Sequence, residues 1–449
     1  MKRAAFVFLI LILASLGLVS CSSNSASTGT TTSGLKHRVL VSQDVSSALT
    51  SAGLIILDAE NDVRSTRPPI VGGALFQPGA MVISNDRKLT VAISDNNEAV
   101  EVVDNTKEVA SGVTDLPGTT ESLVISPDNT IGYAAMPNAP VAGGGSAGGI
   151  ALINLITTGT PPPTLPIPGA RYLAQSGDGS KLLAFSDSTD MGQPSNTQTV
   201  TIVSPLNIVA GPRNATCNPG LGSPVVCQYV TGFDHPVAGF FSSDNAQAWI
   251  LNCGPECGGT QASIQSLDLV HLTAGPPTPI AGGATVALIS GHIMYIAGNP
   301  PPGSNDCAGG PATAATTCGR LTVVDLSTLP QAGPIQPSEV IPDGYHNQLA
   351  ISDDGQLYIG SKNCTNIVPV NPGDEQRGCL AILNTNTGDL IIPPENGDVT
   401  GLQPITGRQR VYVVEGGELF IYDTDTNKLD PLKSIDIFGD AIDVKQIDF

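Results

Sequence analysis

The chain has 449 residues, with 50 Gly, 36 Pro and only 13% charged residues, a composition that excludes a helical bundle or a coiled coil. Hydrophobic residues make up 41%, too many for a disordered chain and enough for a sizeable core. The 40 Asp and Glu residues against 20 Lys and Arg residues give a net charge of −20, which repels phosphate backbones and argues against a nucleic-acid partner.

The N-terminal segment reads as an export signal. Residues 1–20, MKRAAFVFLILILASLGLVS, begin with two basic residues and continue with a long apolar run, as signal peptides and membrane anchors do. The sequence that ends this segment, Leu18-Val19-Ser20-Cys21, resembles the lipobox of bacterial lipoproteins. The resemblance implies cleavage after residue 20 and lipidation of Cys21, which would be a stable membrane anchor. The alternative is an ordinary secretory signal followed by a chance cysteine.

Residues 21–37 are polar after the cysteine, and the stretch SSNSASTGTTTSG predicts a flexible tether. No second run of about twenty apolar residues follows, so we expect a protein that is anchored to the membrane without spanning it. The resemblance to lipoproteins places the protein in the bacterial cell envelope, on a periplasmic or extracellular face. Ser22 after the cysteine favours the outer membrane over the inner one, by the rule that holds for enterobacterial lipoproteins.

One phrase recurs through residues 38–449: a Gly-containing turn, about five mostly apolar residues, Ser, a polar turn and a second strand. Copies include ISPDNTIGYAAM, AQSGDGSKLLAFSD and ISDDGQLYIGSKNC. A third strand that often ends in Asp and a weaker fourth strand follow each copy. Four short strands per unit, separated by turn residues, are typical of a β-propeller blade. The spacing leaves no room for helices between the strands, which excludes a parallel α/β sheet.

The same phrases, followed by VVD or IYDTDTN, resemble the YVTN family of propeller repeats. The resemblance covers nearly all of residues 38–449 and implies an all-β propeller domain. It implies little about function, because that repeat serves surface proteins, lactonase-like enzymes and binding scaffolds alike.

The number of repeats predicts eight blades closed by the chain ends. Residues 38–73 supply second, third and fourth strands without a first, and residues 440–449 supply a single strand. Because a ring must close and an unpaired edge strand is a liability, we predict that the C-terminal strand completes the first blade. Seven blades are the alternative, if one degenerate unit is an insertion. The complete units begin near Gly79, Glu121, Arg171, Val237, Thr285, Asn347 and Val399.

Eight cysteines remain besides Cys21, an even number that favours disulfides in an exported chain. Neighbouring cysteines fall within single repeat units. An alternative zinc site at Cys253 and Cys257 lacks a second cysteine pair or a nearby His. The predicted bridges are Cys217–Cys227, Cys253–Cys257, Cys307–Cys318 and Cys364–Cys379.

Long connections between second and third strands concentrate on one predicted face, and residues 305–317 and 365–378 lie within two of the bridges. Because rigid scaffolds carry function on loops, we expect this face to bind a partner. The Asp-rich turns at Asp128 and Asp353 emerge on the opposite face, and we expect them to be structural, since Asp and Gly form tight turns. Residues 423–427 are likewise expected to be a turn, because they lack the Gly and the distal Glu of a calcium loop.

No motif such as HExxH or GxSxG points to metal or nucleophilic chemistry. Polar residues that start the first strands, or lie in the turns before them, would instead converge at the mouth of the central channel. They are solvated channel side chains or a ligand site, for which a divalent cation is the cofactor that they would suit. These residues are Glu121, Arg171, His235, His346, Asn347, Asp398, Asp440 and Asp443.

The leading hypothesis is therefore a non-enzymatic binding or scaffolding propeller, anchored to the membrane, with an envelope protein, a small molecule or a glycan as its partner. The alternative is an envelope hydrolase that resembles lactonase-type propellers and holds a metal at the channel mouth. A further alternative is an accessory lipoprotein of outer-membrane assembly, although the propeller of that machinery is rich in tryptophan and Trp249 is the single one here.

Overall fold

The computed structural model describes a propeller domain that begins after the predicted signal peptide. Cys21 and most of the predicted tether lie outside the described residues. These are residues 32–448, apart from 46–52, 73–77, 95, 141–145, 187–195, 209–225, 302–306, 308–316, 329–338, 366–377, 394–396, 431–434 and 438.

The described strands form eight antiparallel sheets of four strands, each of which is one blade. Strands are numbered in chain order, and each blade is given from the channel outward. Blade 1 contains β32 (Asp440–Gln446), β1 (Arg38–Asp44), β2 (Gly53–Asp58) and β3 (Val63–Arg64). Blade 2 contains β4 (Met81–Ile83), β5 (Leu89–Ser94), β6 (Ala99–Asp104) and β7 (Val109–Asp115). Blade 3 contains β8 (Ser122–Ile125), β9 (Ile131–Met136), β10 (Gly149–Asn154) and β11 (Thr164–Pro166).

Blades 4 to 8 repeat the pattern. Blade 4 contains β12 (Ala170–Gln175), β13 (Leu182–Ser186), β14 (Thr199–Val203) and β15 (Cys227–Thr231). Blade 5 contains β16 (Pro236–Phe241), β17 (Gln247–Asn252), β18 (Ser263–Asp268) and β19 (Thr273–Pro279). Blade 6 contains β20 (Val286–Ser290), β21 (Ile293–Gly298), β22 (Gly319–Asp325) and β23 (Glu339–Ile341). Blade 7 contains β24 (Tyr345–Ile351), β25 (Gln356–Lys362), β26 (Leu380–Asn384) and β27 (Leu390–Ile391), and blade 8 contains β28 (Val399–Pro404), β29 (Arg410–Glu415), β30 (Glu418–Asp423) and β31 (Lys428–Leu429). Short 3-10 helices lie at Asn196–Gln198, Pro205–Asn207, Gly254–Cys257 and Leu326–Thr328.

The middle strands of the blades form the core. Every residue of β2 and β13 is buried, because the second and third strands of a blade pack against a neighbouring blade on each side. Near-continuous apolar runs such as LIIL and LLAF follow from this two-sided burial. The fourth strands are short and more exposed, and both residues of β3 are exposed.

The ring closes through β32, as the sequence predicts. The innermost strands contact one another in an unbroken circle, with β32 between β28 and β4. β32 is the C-terminal strand, and it pairs with β1 in a register that sets Val41 opposite Val444 and Ser42 opposite Asp443. The prediction of eight blades is confirmed, and the seven-blade alternative is wrong.

A buried ion cluster reinforces the seam between blades 8 and 1. Asp62 is only 4% exposed, and its carboxylate accepts hydrogen bonds from Arg408 Nη2 at 2.9 Å and from the Tyr412 hydroxyl at 2.7 Å. The hydrogen bond to Asp62 raises the pKa of Arg408, although burial opposes it. Because Asp62 belongs to blade 1 and Arg408 to blade 8, this ion pair links the first and the last blade of the ring.

The two faces of the ring differ in their connections. We call the face that carries the second-to-third and fourth-to-first strand connections the loop face, and the opposite one the turn face. On the turn face, Ser126 donates to Asp128 at 2.6 Å while its own oxygen accepts the Ile131 N–H at 2.9 Å. The same Ser-x-Asp contact recurs at Ser84, Ser176, Ser242 and Ser352. These Asp side chains therefore hold their own turns together, as a structural role requires.

Three of the predicted disulfides are present on the loop face: Cys253–Cys257, Cys307–Cys318 and Cys364–Cys379. Their Cα–Cα distances of 5.6–5.7 Å are typical of a disulfide. Cys217 lies outside the described residues, so the predicted bridge to Cys227 stays a prediction.

Substitution of Arg408 by Met tests the seam. Removal of the guanidinium leaves the buried Asp62 carboxylate without its cation, so we expect the free energy of unfolding to fall by about 3–5 kcal/mol in urea titrations. The control is Lys107→Met, which removes an exposed ion pair with Asp104 and should cost less than about 1 kcal/mol. Equal losses in the two variants would contradict the importance of the seam cluster.

Candidate functional site

The mouth of the channel on the loop face carries a pair of opposite charges from adjacent blades. Arg171 in β12 donates through Nε and Nη2 to Glu121 Oε2, at 3.0 and 2.9 Å. Glu121 precedes β8, so the pair links blades 3 and 4. The structure thus brings these two predicted site residues together as an ion pair that is partly exposed to solvent.

Two tyrosines extend this pair across the channel. The hydroxyls of Tyr172 and Tyr345 lie 3.2 Å apart, although Tyr172 belongs to blade 4 and Tyr345 to blade 7. Arg171 lies over the Tyr172 ring, 5.3 Å from its centroid. Burial and then the neighbouring Tyr345 raise the pKa of Tyr172, so its hydroxyl stays protonated in neutral solution. Arg171, Tyr172 and Tyr345 therefore form a row of side chains across the mouth, which we call the bar. Aromatic residues and Arg are the residue types that dominate binding interfaces.

An acidic group of unusual protonation lies next to this bar. Glu256 follows the first cysteine of the Cys253–Cys257 bridge, and its carboxylate accepts the backbone N–H and the Nδ2 of Asn299 at 2.8 and 3.0 Å. Asn299 Nδ2 also donates to the carbonyl of Gly344, the residue before Tyr345. Burial raises the pKa of Glu256 to about 7 against the opposing effect of the Asn299 hydrogen bonds. Near neutral pH this carboxyl can therefore take up or release a proton.

Carboxylates in the fourth-to-first connections hold the loops of this face. Asp343 Oδ1 accepts the Thr365 N–H at 2.6 Å, and Oδ2 accepts the hydroxyls of Thr365 and, at 2.9 Å, of Thr317. Thr317 and Thr365 adjoin cysteines of two different disulfides. One buried carboxylate thus joins the stapled connections of blades 6 and 7.

Asp234 holds a loop of blade 5 by hydrogen bonds of the same kind. Its carboxylate accepts hydrogen bonds from the Thr260 N–H and hydroxyl, at 2.8 and 2.6 Å, and from the Gln261 N–H at 3.0 Å. Burial acts to raise the pKa of Asp234, but the hydrogen bonds from Thr260, His235 and Gln261 outweigh it and lower the pKa to about 2. The Asp234 carboxylate is therefore charged at any physiological pH. We call the carboxylates of Asp234 and Asp343, which accept these hydrogen bonds from the loops, the carboxylate clamps.

Most other predicted site residues make contacts that keep them apart from one another. His235 Nδ1 lies 3.0 Å from Asp234 Oδ1, and Asp398 accepts the Asn363 N–H at 2.7 Å. Asn347 lies at a bulge in β24, and its Oδ1 is buried. Asp440 is exposed at the start of β32.

Asp443 and His346 are buried. Asp443 is 3% exposed and accepts the Met81 N–H at 2.8 Å, which ties β32 to blade 2. His346 is 1% exposed, and its Nε2 lies 3.0 Å from the carbonyl of Pro342. A Cβ on Gly319 would come within 2.4 Å of the His346 ring, so a glycine is required there. These two residues support the packing between blades and do not line the channel mouth.

The predicted residues do not assemble a metal centre. Within the part of the chain that the structure describes, no group of three or more His, Cys, Asp or Glu side chains is placed to hold a metal ion. Glu121 is instead paired with Arg171, and Asp443 with Met81 and Lys445. The donor set that a metal at the channel mouth would need is therefore not formed by these residues.

Comparison with known proteins finds a likeness of fold and does not extend to activity. No protein-family model matches the chain, and no curated protein sequence matches it. Dihydro-heme d1 dehydrogenase NirN in complex with DHE is similar in structure, with a TM-score of 0.58 and 12% identity, over 92% of this chain and 75% of that chain. The periplasmic gluconolactonase PpgL of Pseudomonas aeruginosa has a TM-score of 0.48 and 12% identity, over 91% of this chain and 98% of that chain. At these identities the likeness is one of fold alone.

The sequence analysis missed the residues that hold the site together. Tyr172 and Tyr345 meet across the ring, and no local pattern announces such a contact. Asp234 and Asp343 had a readable signal, because an Asp recurs just before the first strand in FDHP, PDGY and GDVT, and of these only Asp398 was singled out.

The buried His346 predicts an acid-labile fold. Burial lowers its pKa to about 4, against the usual 6.5, so between these pH values the unfolded chain binds a proton that the folded protein does not. Stability should therefore fall as the pH falls through this range, by up to about 3 kcal/mol relative to a variant without the group. His346→Gln keeps a donor toward Pro342 and should flatten this loss in urea titrations at pH 7 and pH 4.5.

Glu256 changes the free energy of unfolding in the opposite direction, because its raised pKa lowers stability as the pH rises. This effect of Glu256 is present in the wild type and in His346→Gln alike, so the difference between their pH profiles reports on His346. The exposed His271 provides the control, and His271→Gln should follow the wild-type profile. Parallel profiles for wild type and His346→Gln would show that the buried imidazole has no such effect.

Proposed function

We propose that this protein is a lipid-anchored binding propeller of the bacterial cell envelope, which holds an envelope protein or a glycan on its loop face. The observation that carries the proposal is the double fixation of this face by disulfides and by the carboxylate clamps. A connection that is already ordered loses less conformational entropy when a partner binds, so pre-organisation favours recognition.

The Asp343 clamp supports this proposal most directly. Its carboxylate contacts residues next to Cys318 and Cys364, so the described ends of two long connections from adjacent blades are held together. Residues 308–316 and 366–377 of these connections lie outside the described residues. The bar formed by Arg171, Tyr172 and Tyr345 adds donors and aromatic surface at the centre of the same face.

Hydrolysis is the second candidate, and Glu256 is the observation that favours it. A carboxyl with a pKa of about 7 in a connection of the loop face has the protonation behaviour of a general acid or base. Hydrolysis would be supported by turnover of a lactone that Glu256→Gln abolishes.

The anchor is proposed from the lipobox at residues 18–21, and among the described residues no helix is long and apolar enough to cross a membrane. Cys21→Ser removes the thiol that would carry the lipid. We expect the variant to lose labelling by a fatty-acid analogue and to leave the membrane fraction, as measured by fluorescence in gels and by fractionation. A variant that still labels would contradict lipidation at this residue.

The loop face is tested by a matched pair of substitutions. Thr365→Val removes a hydroxyl that donates to Asp343 on the loop face, and Thr130→Val removes a hydroxyl that donates to Asp128 on the turn face. We expect Thr365→Val to weaken capture of the partner from detergent-solubilised envelope at least about fivefold, a loss of roughly 1 kcal/mol that is typical of one hydrogen bond. Thr130→Val should capture normally.

The melting temperature of each variant is measured first, and it should equal that of the wild type, so that a general loss of folding is recognised. Equal capture by the two variants and the wild type would contradict binding through the clamped connections. Normal capture combined with turnover of a lactone would favour the hydrolase.

A further inference from the structure

Three large apolar side chains protrude from the turn face in consecutive blades. Ile156, Leu206 and Val270 are 73%, 84% and 67% exposed. Each lies directly after the third strand of its blade, in blades 3, 4 and 5 respectively. We call these three residues the apolar rim.

The apolar rim is specific to these blades. In most blades the Asp or Asn that ends the third strand accepts the N–H of the residue two positions later, which defines the equivalent position in each turn. In the other five blades the residue at this position is polar. These residues are Glu60, Thr106, Ser327, Asn386 and Asp425.

The backbone at the apolar rim is prepared for a water-poor environment. The Ile156 N–H donates to Asn154 Oδ1 at 2.9 Å, and the Val270 N–H donates to Asp268 Oδ1 at 2.8 Å. In blade 4, Pro205 precedes Leu206 and has no N–H. Because an amide without a hydrogen-bond partner is costly away from water, the paired N–H groups of Ile156 and Val270 lower the cost of bringing these two side chains to a water-poor surface.

Two of the three turns of the apolar rim carry no charge, and the third, at Val270, contains the Asp268 carboxylate beside His271. Residues 154–163 and 204–208, which contain Ile156 and Leu206, include no charged residue. Asp128, Asp178 and Asp244 lie on the same face in the first-to-second turns, each bound to its own Ser. Their charge disfavours anionic lipid, so a zwitterionic surface is the better match.

The chain leading to the predicted anchor starts beside the apolar rim. The Ser33 N–H and hydroxyl donate to the Glu108 carboxylate at 2.6 and 2.5 Å, and Glu108 lies in the third-to-fourth turn of blade 2. This turn is adjacent to the one that carries Ile156. The roughly 12 residues from Cys21 to Ser33 can span at most about 43 Å even when fully extended, so a lipid on Cys21 would hold this edge within that distance of the bilayer.

We infer that the apolar rim docks on the lipid bilayer, with Ile156, Leu206 and Val270 inserted among the zwitterionic headgroups and the loop face turned away from the membrane. The inference rests on the lipid anchor proposed above, which supplies the proximity. Apolar side chains at such a surface enter about 5–10 Å, to the boundary of the acyl chains.

Tryptophan fluorescence in the full-length lipidated protein tests the inference. In a Trp249→Phe background, Leu206→Trp places a reporter at the apolar rim, and Val71→Trp places one at an exposed apolar position on the loop face. After reconstitution into phosphatidylcholine vesicles with brominated acyl chains, we expect the reporter at position 206 to lose at least about half of its emission. The reporter at position 71 should keep its emission, and phosphatidylglycerol should weaken quenching at position 206.

Both variants are confirmed as labelled by the fatty-acid analogue before the measurement, so a failure of the anchor is seen as an unlabelled, soluble protein. A labelled protein whose reporter at position 206 is unquenched overturns the inference and assigns the apolar rim to a protein partner. Equal quenching at positions 206 and 71 also overturns it, because no face would then be preferred.

Discussion

The pairing of β32 with β1 is the interaction on which the rest of the structure depends. It joins residues about 400 positions apart in the chain, and it completes blade 1 so that the innermost strands of all eight blades form an unbroken circle. Asp443 of β32 adds contacts on either side, since its carboxylate accepts hydrogen bonds from the Met81 N–H of blade 2 and from the Lys445 ammonium of its own strand. A channel with two distinct faces exists only because β32 closes the ring.

The two faces are stabilised by different kinds of contact. On the turn face, Ser126 and Asp128 bond within one hairpin, over two to five residues of chain. On the loop face, Asp343 and Asp234 bond to residues some 20 to 26 positions away and fix connections that would otherwise be free. Local contacts suffice for short turns, whereas long connections need distant carboxylates and disulfides.

The sequence predicts the blades and their closure well, because turn residues and strand periodicity are local signals. It predicts the site poorly, because the direction of a side chain depends on bulges that no pattern marks. The bulge between His346 and Gln348 turns His346 against Gly319, and a bulge beside Ser42 lies next to Asp443. The contact of Tyr172 with Tyr345 is set by the diameter of the ring, which only the assembled blades define.

The polar groups of this scaffold fall into buried residues at the joints between blades and paired residues at the channel mouth. Asp443, His346 and Asp62 are buried within the joints between blades. Glu121 and Arg171 neutralise each other at the mouth. Glu256 differs, because burial raises its pKa to about 7 against the opposing effect of the Asn299 hydrogen bonds, so its carboxyl titrates near neutral pH. Among the described residues, Glu256 is thus a carboxyl on the loop face that titrates near neutral pH, whereas Asp234, on the same face, stays charged because its hydrogen bonds lower its pKa.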